Sequence, residues 1–326
     1  MLPQSPVDDK LLPHNGRPGG GRICVMLGGE MSHGMANPDG ASVENLRAHV
    51  QLLAGDIGER NLFQPGTLER TAAYLERVWA GQGYAVTPYP FTVNGTTCRN
   101  LEVSRRGTGL PDQIVLLGAH YDTVDGSPGA NDNGTGIAAL LEISRRLARV
   151  ESKRTVRFVA FVNEEPPFFQ TAEMGSRVYA RLARRRGDDV RAMLALETMG
   201  YFRDQPGSQQ YPPLFRWFYP DRGNFIMFVS NLGSRSLLGR AVRAFRARTD
   251  FPAQRCATWA SVPGVGWSDH ASFWAEGYPA VMVTDTAPLR YPFYHTPEDT
   301  PDKVDAAALA RVTAGLFGVV DSLANE

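Results

Sequence analysis

The sequence predicts an α/β fold, a single three-layer domain with a mostly parallel central β-sheet and helices on both faces. Three observations predict it. Residues Ile114 to Leu117 form an unbroken apolar run, as a strand buried on both faces requires. From there the pattern alternates strand, helix, strand over Ile114 to His120, Ile137 to Arg149 and Thr155 to Val162, the order that builds parallel strands joined by crossover helices. Polar, chemistry-bearing side chains then sit just past the strand ends, where open α/β sheets hold their ligands.

Composition narrows the class. At 326 residues and 43% hydrophobic content the chain has ample material for a core. The 34 basic and 34 acidic residues cancel, so no overall field favours nucleic acid or an anionic membrane, and a small neutral substrate fits better. Lysine occurs only as Lys10, Lys153 and Lys303, which reads as coding bias, and Arg184-Arg-Arg186 reads as a solvated helix end. Cys24, Cys98 and Cys256 form no Cys-x-x-Cys and allow at most one disulfide. No apolar segment is expected to reach the roughly 18 residues of a membrane span. The start lacks a basic region followed by an apolar one, so the default expectation is a cytoplasmic location, or a secreted origin if the natural start lies elsewhere. Oligomeric state is not legible.

In chain order, residues 1–38 are rich in Gly, Pro and Asn and are expected to be a disordered tail or a non-native extension, with the domain running from 39 to 326. A helix is expected from Ser42 to Leu53, capped by Ser42 and turned inward on Leu46, Val50 and Leu53. A second runs from Leu68 to Trp79 and stops at Gly81 and Gly83. Tyr84 to Val86, Phe91 to Val93 and Leu101 to Val103 read as strands, with Asn94-Gly95 supplying turn chemistry. The Ile137 helix points Ile137, Leu140, Leu141, Ser144 and Leu147 one way and leaves Glu142, Arg145, Arg146 and Arg149 for solvent. Met193 to Glu197 and Phe225 to Val229 read as strands, Ser236 to Arg248 as a helix, Ala280 to Val283 as a strand, and Val304 to Leu323 as a closing helix. The interval 203–224, with four prolines and five aromatics, is too long for an ordinary connection and reads as a pocket wall or lid.

The strand ends carry the chemistry. His120 and Asp122 end one strand, and Asp132 follows in a glycine-rich loop. Glu164-Glu165 ends the next strand, Glu197 a third, and His295 follows the fourth. Burying so many anions uncompensated would cost several kcal/mol each, and a divalent metal pair resolves that cost. Histidine with carboxylate and no thiolate suits zinc, with manganese or cobalt as substitutes, and does not suit calcium. Adjacent Glu164 and Glu165 can divide the work, one binding metal and the other taking a proton from water. Pro166 and Pro167 stop the strand so that both can turn toward one site.

The set Gly118-Ala-His-Tyr-Asp122, Gly129-Ala-Asn-Asp-Asn-Gly-Thr-Gly136, Asn163-Glu-Glu165, Leu196-Glu197, Ser268-Asp-His270 and Tyr294-His-Thr-Pro297 resembles the M28 family of zinc aminopeptidases, in order over residues 42–323. The resemblance implies an exopeptidase that removes N-terminal residues from peptides with two Zn2+ ions. It implies His120 and Glu197 on one zinc, Glu165 and His295 on the other, Asp132 bridging them, Glu164 as general base and Asp122 holding the His120 ring. It further implies a cis peptide between Asp132 and Asn133. Two positions depart from the family. Glu197 stands where members commonly have Asp, keeping the charge and lengthening the reach. Val265 stands where some place a carbonyl-polarising tyrosine, which leaves Tyr294 and Tyr291 as candidate oxyanion donors, with Trp267 a further candidate at the substrate pocket.

Other readings stand beside this one. Alone, His120 or His295 reads as well as a satisfied polar core residue, Glu173 as a surface residue, and Asp269 and His270 as structural neighbours of the pocket. A triad through Ser268 lacks the Gly-x-Ser-x-Gly elbow. The aromatics Tyr211, Phe215, Trp217, Phe218, Tyr219, Trp259, Trp267 and Phe273 read mostly as core, with a few lining an apolar subsite. Gly134-Thr-Gly136-Ile-Ala-Ala139 matches a dinucleotide fingerprint, but it follows the strand end by 14 residues and the next strand ends in two acids. Within the fold, a single-zinc glutaminyl cyclase that performs no hydrolysis and a non-catalytic binding relative are the rivals.

Overall fold

The computed structural model describes residues 41–212 and 215–326. The expected tail, 1–38, lies outside the described residues. The helices are α1 (Val43–Val50), α2 (Thr67–Gly81), α3 (Gly136–Leu147), α4 (Gly175–Arg186), α5 (Arg235–Arg248), α6 (His270–Ala275) and α7 (Ala306–Asn325). The strands are β1 (Thr87–Val93), β2 (Thr96–Arg105), β3 (Leu110–His120), β4 (Arg154–Phe161), β5 (Asp189–Glu197), β6 (Ile226–Asn231), β7 (Ala253–Thr258) and β8 (Ala280–Thr284). They form one sheet in the order β1-β2-β4-β3-β5-β8-β6-β7. The centre, β4-β3-β5-β8, is parallel, and β2 joins β4, as β6 joins β8, antiparallel.

Strand β3 shows why the sheet is central. Val115, Leu117 and Ala119 enter one apolar cluster, with α1, α2, α3, α5 and α7, while Ile114 and Leu116 enter a second with α4 and α6. The three-layer expectation follows from that alternation with every residue apolar. At the first edge, Val93 pairs Thr96 across Asn94 (φ 48°) and Gly95 (φ 79°), the left-handed pair that a two-residue hairpin turn needs.

Several expectations fail for identifiable reasons. Tyr84 to Val86 is not a strand; Tyr84 is buried and gives its hydroxyl to the Ser144 carbonyl at 2.9 Å. Glu142 and Arg146 are buried, because α3 is covered on more than one side. Glu142 accepts the Ser42 N–H at 3.0 Å, and the Arg146 guanidinium lies 3.7 Å over the Phe317 ring of α7. The arginines of α4 mask its pattern, and the apolar side chains that it buries are only Tyr179, Ala180 and Ala183. Edge strand β7, Ala253–Thr258, consists of small and polar residues and gives almost no hydrophobic signal. Against the expectation that no apolar segment reaches the length of a membrane span, helix α7 is 20 residues long with mean hydropathy 1.4, apolar enough to cross a membrane by length and composition. Here it packs as a core helix on α5, α3 and α1.

His49 hydrogen-bonds Tyr74 on the inner side of α1. Burial pushes its imidazole from 6.5 down to about 4, with Glu142 opposing. The folded state therefore resists protonation while the unfolded chain accepts it below about 6.5, so stability is full above that pH and falls as pH drops toward 4. The expected loss is up to about 3 kcal/mol. Urea unfolding from pH 7 to pH 4 should show it, and His49→Gln should flatten the dependence.

Candidate active site

The chain leaves β3 toward β4 on one side, whereas β5 connects onward on the other, so the crevice between them is the topological switch point. β3 ends on His120 and β5 on Glu197. Glu164 and Glu165 follow β4, Asp132 comes from the loop before α3, and His295 from the segment after β8. Asn163, Thr198 and His295 all have left-handed backbone, at φ 59°, 42° and 58°. Non-glycine residues in that region gather where function constrains the backbone.

The five side chains expected to bind metal converge. His120 Nε2 stands 3.3 Å from Asp132 Oδ1 and 3.3 Å from Glu197 Oε2. His295 Nε2 stands 3.1 Å from Asp132 Oδ2 and 3.3 Å from Glu165 Oε2. Asp132 thus turns one oxygen to each imidazole. Two donor groups result, His120–Asp132–Glu197 and Asp132–Glu165–His295, together with an overlapping group of His120, Glu164 and Glu165. Glu164 is the more distant member, 4.0 Å from His120 Nε2.

The donor set fits divalent cations. His120 Nδ1 faces the Asp122 carbonyl at 3.1 Å, an oxygen that only accepts, so the ring hydrogen belongs there. Nε2 then presents a lone pair to two carboxylates. Both Nε2 atoms, Asp132 Oδ1 and Glu165 Oε1 are buried and make no hydrogen bond. Lone pairs held at 3.1–3.3 Å repel unless a positive charge lies among them. Ligand atoms bound tetrahedrally to zinc at about 2.0–2.2 Å stand roughly 3.2–3.6 Å apart, which is this spacing.

Without a cation the cluster answers its negative excess with protons. Burial raises Glu164 well above the carboxylate range, raises Glu197, and brings Glu165 to about 7 with help from the Asp132 charge. Burial alone would lower both imidazoles. Glu197 and Glu164 instead hold His120 well above its ordinary value, and Asp132 and Glu165 raise His295 to about 10. Burial would raise Asp132, but the two imidazoles outweigh it and keep it low.

Around these groups lies a hydrogen-bonded frame. The Asp122 carboxylate accepts the backbone N–H of Glu164 and of Glu165, both at 3.1 Å, so Asp122 steadies the His120 ring through its carbonyl and the Glu-Glu pair through its side chain. Asp299 accepts the N–H of Asn131 at 2.8 Å and of Asp132 at 3.0 Å. Asn133 donates to the Leu196 carbonyl at 2.7 Å, and a Cβ on Gly136 would meet its Oδ1 at 2.2 Å, so glycine is required there. The Asp132–Asn133 peptide is cis. Ser268 donates to Glu197 Oε2 at 2.7 Å, which is what the first residue of Ser268-Asp-His270 does. His270 donates to the Val265 carbonyl at 2.7 Å, a structural role.

A cavity of about 210 Å³ opens beside Glu197, Thr198 and Tyr294. Tyr211, Pro212, Phe215 and Tyr219 from the interval 203–224 form one wall, with Met227, Val229, Cys256, Val265, Trp267 and Met282 around it. Tyr294 and Trp267 are therefore at the pocket. Tyr291 is not: its hydroxyl goes to Asp299 at 2.7 Å, behind Asp132. Trp217, Phe218 and Trp259, expected mostly in the core, are 72%, 80% and 68% exposed, while Phe273 is core. Cys98 and Cys256 are free thiols. Sequence reasoning missed Asp299, whose one signal was an acid four residues after His295.

The family model described as peptidase family M28 matches residues 100–320. The uncharacterised protein YfbL of Escherichia coli (strain K12) is 35% identical over 291 residues, covering 86% of this chain and 88% of its own length. Among solved structures, a zinc aminopeptidase of Bacillus subtilis superposes with TM-score 0.72 at 15% identity, over 88% of this chain and 96% of that one. A glutaminyl cyclase of Porphyromonas gingivalis superposes with TM-score 0.67 at 20% identity, over 88% and 100%. At such identities the likeness is one of fold.

Asp299→Ala tests the frame. It strands two buried N–H groups and the Tyr291 hydroxyl, at about 1–3 kcal/mol each, so unfolding free energy should fall by about 3 kcal/mol or more. Calorimetric titration should show cobalt or zinc affinity weakened by about 10–100-fold.

Proposed function

The chain belongs to peptidase family M28, and from that premise we propose that it is a zinc-dependent aminopeptidase that removes the N-terminal residue of peptides using two Zn2+ ions. The observation that carries the reading is Asp132, buried, with one oxygen turned to each of two histidines at 3.1–3.3 Å. His120 and Glu197 would hold one ion, Glu165 and His295 the other, and Asp132 both. When bound, such a pair supplies Lewis acidity that lowers the pKa of water and polarises a carbonyl.

The chain's own residues supply the remainder. Glu164 is the acid left over once each ion has its ligands, and the Asp122 carboxylate fixes it through the backbone. In this reading it would take the proton of the attacking water and return it to the leaving amine. Tyr294 would stabilise the oxygen that gains charge. Its ring stacks on His295 with centroids 3.8 Å apart, and it borders the cavity. Burial and the surrounding carboxylates raise its pKa, so the phenol keeps its proton and can donate. That assignment fills the role left open by Val265. The free amino group of the substrate would meet the carboxylate cluster, and the side chain of the N-terminal residue would enter the apolar cavity beside Glu197.

The cyclase reading has a structural neighbour in its favour, but the second donor group, Asp132–Glu165–His295, is as well formed as the first. Products separate them: released amino acid marks hydrolysis, whereas a cyclised N-terminus marks the rival.

Three outcomes are expected. Glu164→Ala should keep its metal and lose nearly all hydrolysis, about 10²–10⁴-fold; an active variant would remove the base assignment. Tyr294→Phe should lower kcat about 10²–10³-fold with KM little changed, whereas Tyr291→Phe should cost far less. Across a panel of aminoacyl amides, kcat/KM for Leu, Met or Phe should exceed that for Asp by about a hundredfold or more, since none of the described residues lining the cavity is basic and Glu197 at its border repels an anion.

A further inference from the structure

Arg60 lies between α1 and α2 and is 0% exposed. Its guanidinium makes five hydrogen bonds, all to backbone carbonyls. Nε donates to Tyr121 at 3.0 Å, one terminal nitrogen to Leu53, Gly58 and Pro128 at 2.9, 2.8 and 2.6 Å, and the other to Gly129 at 2.9 Å. The carbonyls belong to three separate segments: the helical turns after α1, the end of β3 beyond His120, and the start of the loop that carries Asp132. The backbone of Arg60 is tied to the same place, since its N–H donates to Thr123 Oγ1 at 2.9 Å and its carbonyl accepts the Thr123 N–H at 2.8 Å.

Two features make this more than core packing. A planar fork of donors can tie three segments at fixed relative positions, which a lysine ammonium cannot. The junction is also tight against the metal-facing loop. Gly129 has φ +62°, and a Cβ there would meet the Asp132 carbonyl at 2.3 Å, Thr123 Cγ2 at 2.3 Å and the Arg60 guanidinium at 3.1 Å. The fork thus holds the carbonyl of Gly129, three residues before Asp132, where no side chain fits between the two. A buried cation is normally unfavourable. Burial lowers this guanidinium only to about 10, because Asp299, Asp122 and Asp132 oppose it, so it is charged at neutral pH and offsets part of the negative excess of the site.

We propose that Arg60 is a positioning residue for the cation site: it fixes the Asp132 loop against the end of β3 so that the two Asp132 oxygens face His120 and His295 before any ion arrives. This rests on the reading of the site as zinc-binding.

The test uses the zinc-loaded full-length protein and three variants. Arg60→Lys keeps charge and loses the fork, Thr123→Val keeps the fork and loses one strut, and Gly129→Ala strains the junction from the loop side. Zinc release to a chelator, kcat, KM and Tm are measured, with folding checked by circular dichroism. Arg60→Lys should release zinc about 10–100-fold faster and lose at least about tenfold in kcat with KM within about twofold. Thr123→Val should shift release in the same direction by a smaller factor. If Arg60→Lys does not fold, Thr123→Val and Gly129→Ala decide. Folded variants that lose Tm but keep the parent's release rate and kcat overturn the proposal alone. A parent that holds no zinc overturns the reading of the site and this proposal with it.

Discussion

Too much negative charge is buried at the ends of four parallel strands, and the rest of the site is arranged around that fact. Asp122, Asp132, Glu164, Glu165, Glu197 and Asp269 are nearly or fully buried within reach of two imidazoles. Unpaired charge in such a place costs several kcal/mol per group even after relaxation. The protein lowers the cost with Arg60, with backbone N–H groups aimed at Asp122 and Asp299, and with the Ser268 and Tyr291 hydroxyls. The two imidazole Nε2 atoms still face carboxylates without a hydrogen bond. The fold thus builds a deficit of positive charge at the switch point of its sheet, and the site's chemistry follows from what fills it.

The arrangement also divides labour between adjacent acids. Glu165 turns to His295 at 3.3 Å while Glu164 stands 4.0 Å from His120, and one carboxylate, Asp122, sets both through their backbone N–H groups. The reading of Glu164 as base and Glu165 as ligand depends on that one-residue offset. The lengthened side chain of Glu197 is accommodated because Ser268 fixes the oxygen that faces His120. On the far side of Glu197 the surroundings turn apolar at once, so a charged centre and a hydrophobic cavity share one residue as their border.

What was legible in the sequence was whatever rests on local pattern. The run through Ile114 to Leu117 gave the central strand, since only a strand covered on both faces tolerates it. The order of acids and histidines after successive strands gave the convergent cluster, because parallel strands bring their ends to one edge. The helix α4 escaped because surface arginines swamp the three apolar side chains that it buries, and β7 because an edge strand need not be hydrophobic. Arg60, Asp299 and the commitment of Tyr291 to Asp299 escaped for another reason. They work through contacts as much as 168 residues away in the chain, and side-chain hydrogen bonds of that kind leave no periodicity or spacing to read. Glu142 and Arg146 show the same limit: the face of α3 they occupy looks solvated until α1 and α7 are placed over it.

The most direct test is anomalous diffraction at the zinc edge from crystals of the purified, metal-replete protein. Two peaks are expected, one between His120 and Glu197 and one between Glu165 and His295, with an Asp132 oxygen toward each. A single peak, or none under zinc-replete conditions, would contradict the two-cation account.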